Sequence, residues 1–524
     1  MTGTLAGVSD PIPLRPAVSV HTPLAAVVDR LGPALRRCDG DPDDLAGTVL
    51  TGVTISSLRA RPGDLYVAPA GARAHGATFA PEAVAAGAVA VLTDAAGVDV
   101  LAATGSGPLG VPVLVVERPR EVLGDLAALV YGSPASRMRL VAVTGTQGKT
   151  TTTRLAEAAL TAAGVPAAVV GTVGTRINGE DLKTALTTPE APDLHALFAV
   201  MVERGVVACA MEVSSHALVM GRVDGVVFDV ACFLNLGRDH LDFHRDVEDY
   251  FQAKAALFTP QRCRLALVNV DDEHGRRLAT EASVPVRTFA VRDPDADWRA
   301  DDVRLDPTGS NFVLHAPGGA THPVRVPLPG DFNVANAVCA VAALIEAGFD
   351  PAAVAAAMGT SGGVPGRLEQ VDAGQDFLAV VDYAHKPDAV SAALNALRPL
   401  TSGQLVIVIG AGGERDPGKR PIMGEIAARL ADVLVVTDDN PRGEDPAGIR
   451  ASVVAGARAV AEAERADVRE VGDRRTAIRT AVRLARRGDT VVVAGKGHET
   501  GQEVAGRILP FDDRDVLREE LVSR

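Results

Sequence analysis

Aromatic residues are scarce: they make up 3% of 524 positions, with one tryptophan and four tyrosines. Cores must therefore rest on valine, alanine and leucine, a composition that suits parallel sheets covered by alanine-rich helices. Cysteine is scarce too. The five (Cys38, Cys209, Cys232, Cys263 and Cys339) lie far apart with no Cys-x-x-Cys pair, which predicts free buried thiols in a reducing compartment. Positive charge is in deficit, with 52 Lys and Arg against 66 Asp and Glu and a net charge of −14. That balance argues against a broad nucleic-acid or anionic-membrane surface and leaves room for a local basic pocket. No uninterrupted apolar run reaches the ~18 residues of a membrane helix. The opening MTGTLAGVSDPIPLRP has no basic patch followed by an apolar stretch, so a soluble cytoplasmic protein is expected. There is no repeat of solenoid period and no long low-complexity tract.

What is present is a succession of apolar runs ending in polar residues. At one domain per ~150 residues the length suggests three domains, placed at 1–137, 138–362 and 363–524. In the first, VAVLTD from Val89 and VPVLVVE from Val111 have the length and β-branched content of buried strands. Tyr131 to Ser136 is expected to be a linker. GTSGGVPG marks the second boundary, with a hinge at Gly362-Gly363. Alanine-rich pieces such as AAVAAAMG near 355 fit helices. Four runs in the second block, LVAVTGTQGKT, VVACAMEVSSH, VACFLNLGRDH and LALVNVDDEH, and four in the third, FLAVVDYAHKP, LVIVIGAGGERD, VLVVTDDNPRG and TVVVAGKGHE, alternate with helical segments. Such alternation means parallel sheets, with ligands beyond the carboxyl ends of the strands. The fold class expected is α/β in three domains, the central one a P-loop-type parallel-sheet ATPase domain and the C-terminal one Rossmann-like. The eight strand ends are expected to form two halves of one site.

VAVTGTQGKTTTTR, Val141 to Arg154, resembles a phosphate loop with residues missing: only Thr146 and Gln147 separate Gly145 from Gly148-Lys149-Thr150, where a Walker loop has four residues. A strand, a glycine turn and Lys-Thr at a helix start converge backbone N–H groups and a positive dipole end on one spot. Lys149 then reaches terminal phosphates and the Thr150 hydroxyl ligates magnesium. A plain strand–helix turn with Thr150 or Thr151 as N-cap leaves the lysine among turn glycines unexplained. GAGGER at Gly410 fails as a dinucleotide fingerprint, because Arg415 stands where the third glycine is needed.

GTQGKTTTT, LTTPE, MEVSSHAL, NLGRDHLDFH, FQAKAALF, PGDFNVANA, PGRLE, DYAHKPDA, GERDPGKRP, DDNPRGEDP and AGKGHE follow one another in an order that resembles the Mur ligases, of the MurE type. The resemblance runs from about Thr51 to the C-terminus. It implies a first domain for a UDP-sugar, a second for ATP and a third that closes over an amino acid. The implied reaction, in peptidoglycan biosynthesis, is ATP-dependent addition of diaminopimelate to UDP-N-acetylmuramoyl-L-Ala-D-Glu through an acyl phosphate, with ATP as co-substrate and Mg2+ as cofactor. Two anionic reactants must meet, so cations and N–H dipoles have to offset their repulsion.

The resemblance implies roles residue by residue. Gly145, Thr146, Gln147, Gly148, Lys149 and Thr150 hold ATP, and Thr150, Glu212, His240 and Lys254 serve the metal, with Lys149, Glu212, His240 and Lys254 as the catalytic set. Lys254 matches a lysine that carries a carbamate (N6-carboxylysine); by itself a lysine in FQAKAALF reads as a solvated helix residue. Asn333 and Asn336 match adenine-side positions, although Asn333 also reads as the cap of a helix from Val334 to Leu344. Arg367, Asp382, Tyr383, His385 and Lys386 approach the nucleotide from the third domain. Thr187, Thr188, Ser214 and Arg222 match muramoyl-peptide contacts, with Thr188-Pro189 doubling as an N-cap and N1 proline. Ser57 matches the serine of a family Asp-Ser-Arg motif whose aspartate is absent here, and Ala72-Arg73-Ala74 borders that pocket. Met220 replaces a glutamine.

Asp439-Asn440-Pro441-Arg442 matches the form implied for diaminopimelate-adding members. Diaminopimelate differs from lysine by a distal carboxylate, and guanidinium binds carboxylate bidentately. Arg442 is expected to be left unpaired by a lysine substrate. Arg415, Gly495 and Glu499 match the remaining amino-acid contacts, with Glu499 placed for an ammonium. Two other readings stay open: another ligase of the superfamily, such as a folylpolyglutamate synthase, and an ATP-binding switch. The first has to account for DNPR and the second gives the third block no role.

Overall fold

The computed structural model describes residues 14–40, 42–103, 108–306, 308–360 and 363–524; Gly362 of the expected hinge lies outside them. The contact pattern divides the chain into two compact units, the first Met1–Gly145, Ala163–Arg287 and Glu346–Phe349, the second Thr146–Ala162, Thr288–Ile345 and Asp350–Arg524.

Among the described residues the first unit holds a two-stranded pair, Thr22–Pro23 with Val49–Leu50, and two larger sheets. One comprises β1 (Leu35–Asp39), β2 (Gly52–Thr54), β3 (Asp64–Ala68), β4 (Ala90–Thr93) and β5 (Val113–Val116) in the order β1-β5-β4-β3-β2. β2 to β5 run parallel and β1 closes one edge antiparallel. β4 and β5 are the two runs expected as strands. The segment expected as a linker, Tyr131 to Ser136, is itself packed. Tyr131 is 4% exposed and its hydroxyl accepts the Val53 N–H at 3.4 Å, while Pro134–Arg137 forms a 3-10 turn with Pro134 and Ala135 buried. The ring and the proline belong to the core, so the turn-forming residues around them do not make a free connection.

The second sheet carries β6 (Arg139–Thr144), β7 (Ala167–Gly171), β8 (Gly174–Ile177), β9 (Glu180–Leu182), β10 (Ala208–Glu212), β11 (Phe228–Phe233) and β12 (Cys263–Asn269), ordered β9-β8-β7-β10-β6-β11-β12. β7, β10, β6, β11 and β12 are parallel, and the β8–β9 hairpin extends one edge antiparallel. Leu140, Ala142, Cys209, Met211, Ala231, Phe233, Ala266 and Val268 share one core cluster. Burial on both faces is why these runs are continuously apolar instead of alternating.

The second unit contains the helix Lys149–Ala162 and an antiparallel meander of β13 (Trp298–Asp306), β14 (Gly309–His315) and β15 (Thr321–Val326). It also contains the helices Asp331–Glu346 and Pro351–Met358, the second being the expected AAVAAAMG helix. Its parallel sheet is built from β16 (Leu378–Asp382), β17 (Leu405–Ile409), β18 (Val433–Val436), β19 (Asp467–Glu470) and β20 (Thr490–Ala494), ordered β16-β20-β17-β18-β19. Separate apolar clusters cover its two faces. A hairpin of β21 (Gly501–Val504) and β22 (Arg507–Pro510) follows β20. All eight strand runs expected in the second and third blocks therefore form, in parallel. Among the described residues no helix is long and apolar enough to cross a membrane. The five cysteines are free, four of them buried and Cys38 half-buried.

Burial holds three imidazoles neutral. His195, bonded through Nε2 to the Asp224 carbonyl at 3.1 Å, has its pKa pulled down to about 4 by burial, and His385 and His498 are lowered to about 4 with burial again the leading cause. Unfolded imidazoles take up protons as pH falls through about 6.5, whereas the folded ones wait until about 4. The unfolded state binds more protons in that window, so these groups make stability fall as pH drops. The urea midpoint is expected to decrease from pH 7 to pH 5, and less steeply in His195→Gln; identical slopes would show that His195 does not stay neutral in the fold.

Candidate active site

The loop after β6 turns through Gly145 (φ 152°) and Gly148 (φ 86°) into the helix Lys149–Ala162. A Cβ on Gly145 would press on the Leu234 Cβ at 3.0 Å, so glycine is needed for the close approach. The helix begins at Lys149 itself, which excludes Thr150 and Thr151 as its N-cap. The Lys149 ammonium folds back on the loop and donates to the Thr146 carbonyl at 3.2 Å. Gln147 completes this short loop, and Thr150 is buried in the first helical turn.

Glu212 ends β10 and is 1% exposed. Its two carboxylate oxygens accept the Thr172 backbone N–H at 2.8 Å and the Thr172 hydroxyl at 3.0 Å. A side chain on Gly171 would collide with that carboxylate. Lys254 lies in the helix Val247–Ala255 and is 1% exposed, which overturns the solvated reading of that lysine. Its ammonium donates to the Gly145 carbonyl at 3.0 Å and sits 4.5 Å over the Tyr250 ring. His240 meets the same ring, centroid to centroid at 6.1 Å. It adopts a left-handed φ of 54° in a loop pinned by Asn269 on the Leu234 carbonyl at 2.8 Å and by Asp272 on the Leu236 N–H at 3.2 Å. The structure thus brings Gly145, Lys254 and His240 around Tyr250. Among the described residues no group of three or more His, Cys, Asp or Glu stands ready as a metal site.

Thr188, Ser214 and Arg222 also converge. The Thr188 hydroxyl donates to the Glu212 carbonyl at 2.8 Å, and Ser214 N–H donates to that hydroxyl at 3.3 Å. Arg222 donates to the Thr188 carbonyl at 3.4 Å and pairs with Glu190 at 2.9 Å. The Thr187 hydroxyl lies 3.1 Å from that of Thr172. Thr188 does not cap a helix as expected: the next helix starts at Ala191 with Glu190 as N-cap and Pro192 in its first turn. Met220 ends the short helix that Ser214 caps. Ser57 contacts Glu82 at 3.5 Å, and Ala72-Arg73-Ala74 is exposed, spanned by a bridge between Ala70 and His75. Where the motif lacks its aspartate, Arg59 finds one far along the chain, pairing twice with Asp193 at 3.0 and 2.9 Å.

In the second unit the helix carrying Asn333 starts at Asp331, so Asn333 is inside the first turn and not a cap. Its amide donates to the Pro329 carbonyl at 2.8 Å; Asn336 donates to Asn333 at 3.2 Å and accepts the Thr152 hydroxyl at 3.3 Å. This buried network ties the helix to the one that follows the phosphate loop. Arg367 donates to the Thr150 hydroxyl at 3.3 Å. Asp382 holds the Arg367 turn by accepting the Leu368 N–H at 2.7 Å and the Ala384 N–H at 2.8 Å; burial raises its pKa. The His385 ring meets the Tyr383 carbonyl at 2.7 Å, and Lys386 stands at the N-cap position of the helix Pro387–Leu397 without a side-chain capping bond.

A buried, bonded cluster joins the ends of β18 and β20. Asn440 donates to Glu499 at 2.9 Å, and the fully buried Lys496 donates to Asn440 at 2.8 Å and pairs with Glu499 at 3.3 Å and Asp439 at 3.8 Å. Gly495 (φ 118°) leaves room for the Asp439 carboxylate, and Gly413 for the Pro441 carbonyl. The glycines of GAGGER are thus there for close packing on the neighbouring loop. Arg415 is exposed beside Gly412. Arg442 (φ 54°) corrects an expectation: it is already paired, with Nε on Glu503 of β21 at 3.1 Å and Nη1 on the Gly413 carbonyl at 2.6 Å. Beneath the cluster Arg474 and Asp513, both 0% exposed, pair at 2.7 Å, and Arg474 donates to the carbonyls of Ala494 at 2.9 Å and Asp438 at 3.3 Å. That guanidinium fixes the two strand ends to each other. Among the described residues eight non-glycine residues have left-handed φ, and His240, Leu368, Glu414 and Arg442 of these motif loops are half of them; strain of this kind concentrates at functional sites. Sequence reasoning missed Lys496, His498, Glu503 and Arg474. Lys496 and His498 sit inside AGKGHE, so that motif was the available signal; Glu503 and Arg474 gave none.

Three family models match consecutive parts of the chain: the Mur ligase family catalytic domain at 49–131, the Mur ligase middle domain at 143–344 and the Mur ligase glutamate ligase domain at 366–497. A Streptomyces avermitilis protein named UDP-N-acetylmuramoyl-L-alanyl-D-glutamate–2,6-diaminopimelate ligase is 54% identical over 98% of this chain and 98% of its own length. The chain belongs to the Mur ligase family. Its likeness to a Corynebacterium glutamicum protein of the same name is 50% over 88% of this chain and 89% of that one. A solved structure titled with the same ligase name superposes on this Mur ligase with a TM-score of 0.67 at 32% identity, covering 93% of this chain and 97% of that one. The three-domain α/β fold expected from the motifs is the fold of this family.

Proposed function

We propose that this Mur ligase adds diaminopimelate to UDP-N-acetylmuramoyl-L-Ala-D-Glu at the expense of ATP, in the cytoplasm, as a step of peptidoglycan synthesis. A carboxylate oxygen of the D-Glu residue attacks the γ-phosphorus, the bond to the bridging oxygen breaks, and ADP leaves. The amine of diaminopimelate then attacks the acyl carbon, sheds a proton, and inorganic phosphate departs. The supporting observation is the presence, in one chain, of a glycine loop running into the helix Lys149–Ala162 and of the Asp439, Asn440, Arg442, Lys496 and Glu499 cluster at the ends of β18 and β20.

Gly145 to Thr150 cradle the nucleotide, with Asn333, Asn336, Arg367, Asp382 and His385 arranged around it. Ser57, Thr187, Thr188, Ser214 and Arg222 receive the UDP-sugar peptide. Arg415, Asp439 to Arg442, Gly495 and Glu499 take diaminopimelate, its ammonium facing Asp439 and Glu499 and its distal carboxylate facing Arg442. Domain limits of 1–137, 138–362 and 363–524 fit these assignments. Mg2+ would find hard oxygen donors in the Glu212 carboxylate and the Thr150 hydroxyl, a third in Lys254 once its ammonium is converted to a carbamate, and an imidazole nitrogen in His240. Mg2+ is characteristically held by one or two carboxylates together with substrate phosphates. Bound there, it would neutralise charge developing on the transferred phosphoryl group.

Phosphate release should require both UDP-N-acetylmuramoyl-dipeptide and diaminopimelate. Release with ATP alone at the full rate would replace the ligase reading with an ATPase switch. Gly495→Ala tests the amino-acid end. A Cβ there meets the Asp439 Oδ2 at 2.5 Å and needs a φ of 118°, a strain of about 1–3 kcal/mol. The KM for diaminopimelate should rise roughly ten- to hundredfold with the ATP KM unchanged; a raised ATP KM instead would assign that strand end to the nucleotide.

A further inference from the structure

Two motif loops of the second unit touch through their backbones. Gly366 of PGRLE (φ 66°) and Gly497 of AGKGHE (φ 54°) lie face to face: a Cβ on Gly366 would collide with Gly497 and the His498 nitrogen, and one on Gly497 would sit 2.9 Å from the Gly366 carbonyl and 2.7 Å from the Tyr383 Cβ. The contact places Arg367 and His498 around one ring. The Arg367 guanidinium is 4.6 Å from the Tyr383 centroid, and the His498 ring is 5.0 Å from it at a tilt of 40°. Arg367 also reaches the Thr150 hydroxyl, in the first turn after the phosphate loop.

Each of these side chains keeps a buried polar atom without a hydrogen-bond partner, Nε of Arg367 and Nδ1 of His498. Leaving such atoms unsatisfied is costly, so two of them at one spot call for a ligand. An arginine Nε–H is strictly a donor, so the ligand offers an acceptor. Cations dominate the surroundings: burial first, then Arg367, Arg514 and Arg154, hold the His498 imidazole neutral, with Asp512 the opposing acid. Arg514 is itself tied to Asp512 at 2.5 Å. A neutral ring with one N–H, beside a guanidinium and next to a phosphate loop, is furnished for an anionic oxygen.

We infer that His498 is a nucleotide-binding residue of this enzyme, donating from Nδ1 to a polyphosphate oxygen of ATP beside Arg367. The inference rests on the ATP-dependent reading above and adds a contact from the loop that also carries Glu499 of the amino-acid site. One loop then touches both the phosphoryl donor and the amine acceptor, so nucleotide binding helps set the amino-acid pocket.

The test uses the full chain, a non-hydrolysable ATP analogue with magnesium, and calorimetry. His498→Phe keeps the ring against Tyr383 and has no N–H; His498→Asn offers an amide N–H near the Nδ1 position. The phenylalanine variant should bind the analogue roughly ten- to hundredfold more weakly, the asparagine variant should recover most of that loss, and both should bind AMP as the parent does. Equal affinity of the phenylalanine variant and the parent for the analogue would overturn the inference. So would an asparagine variant as weak as the phenylalanine one, or an equal loss for AMP, which would mean a packing or ribose role. Since binding is read directly, a parent that binds the analogue yet makes no peptide bond would count against the ligase reading and not against His498.

Discussion

Replacing Lys149 with alanine should lower kcat about a thousandfold while the UDP-sugar and diaminopimelate KM values stay close to the parent's. An acid anhydride bond is being broken by an anionic nucleophile, so the electrostatic contribution at the γ-phosphoryl group dominates, and removing one preorganised donor costs roughly 3–4 kcal/mol. The Lys149 ammonium rests on the Thr146 carbonyl at 3.2 Å. It is a short swing from the phosphates such a loop cradles, held at the start of the helix Lys149–Ala162 where the dipole already favours negative charge. Stopped-flow or steady-state phosphate assays would check this. A variant with full kcat and a raised ATP KM would mean that the lysine only binds ground-state nucleotide.

The second large effect is on choice of amino acid. Arg442→Ala should raise the KM for diaminopimelate ten- to hundredfold, leave ATP binding intact, and nearly erase preference over lysine. The reason differs from the one the sequence suggests. Arg442 is not left bare by a lysine substrate, because Glu503 and the Gly413 carbonyl already hold two of its N–H groups. A guanidinium has five, so an incoming carboxylate gains charge-assisted hydrogen bonds without evicting Glu503. Such bonds contribute about 1.5–3 kcal/mol, which sets the expected range. Competition between diaminopimelate and lysine in one reaction, read by product mass, would measure it. Unchanged preference would remove Arg442 from the specificity pocket.

The parallel sheets were legible because burial on both faces leaves nothing but apolar residues in runs such as Leu405–Ile409, and because polar residues reappear abruptly at the strand ends. The phosphate loop was legible because lysine between glycine and threonine has few other uses. What escaped depended on pairings between distant positions. Glu503 lies 61 residues from Arg442 and Asp513 lies 39 from Arg474, and no local pattern announces either. Lys254 looks solvated by residue type alone, although Tyr250, Phe251, Leu257 and Phe258, three and four residues to either side, are buried apolar positions on its face; the fold shows that it points inward to Gly145. The burial of Tyr131 is hidden for the opposite reason: glycine, serine and proline beside it advertise a linker, while its ring completes a core. The pairing of Arg59 with Asp193, 134 residues away, is likewise invisible in the sequence.

All of this depends on the peptide's own carboxylate taking the phosphoryl group before any amine reacts. Label transfer tests that most directly: with oxygen-18 in both carboxylates of the D-Glu residue of the UDP-linked dipeptide, each turnover should yield one labelled oxygen in inorganic phosphate and a tripeptide carrying one diaminopimelate. Tripeptide formed with unlabelled phosphate would contradict it.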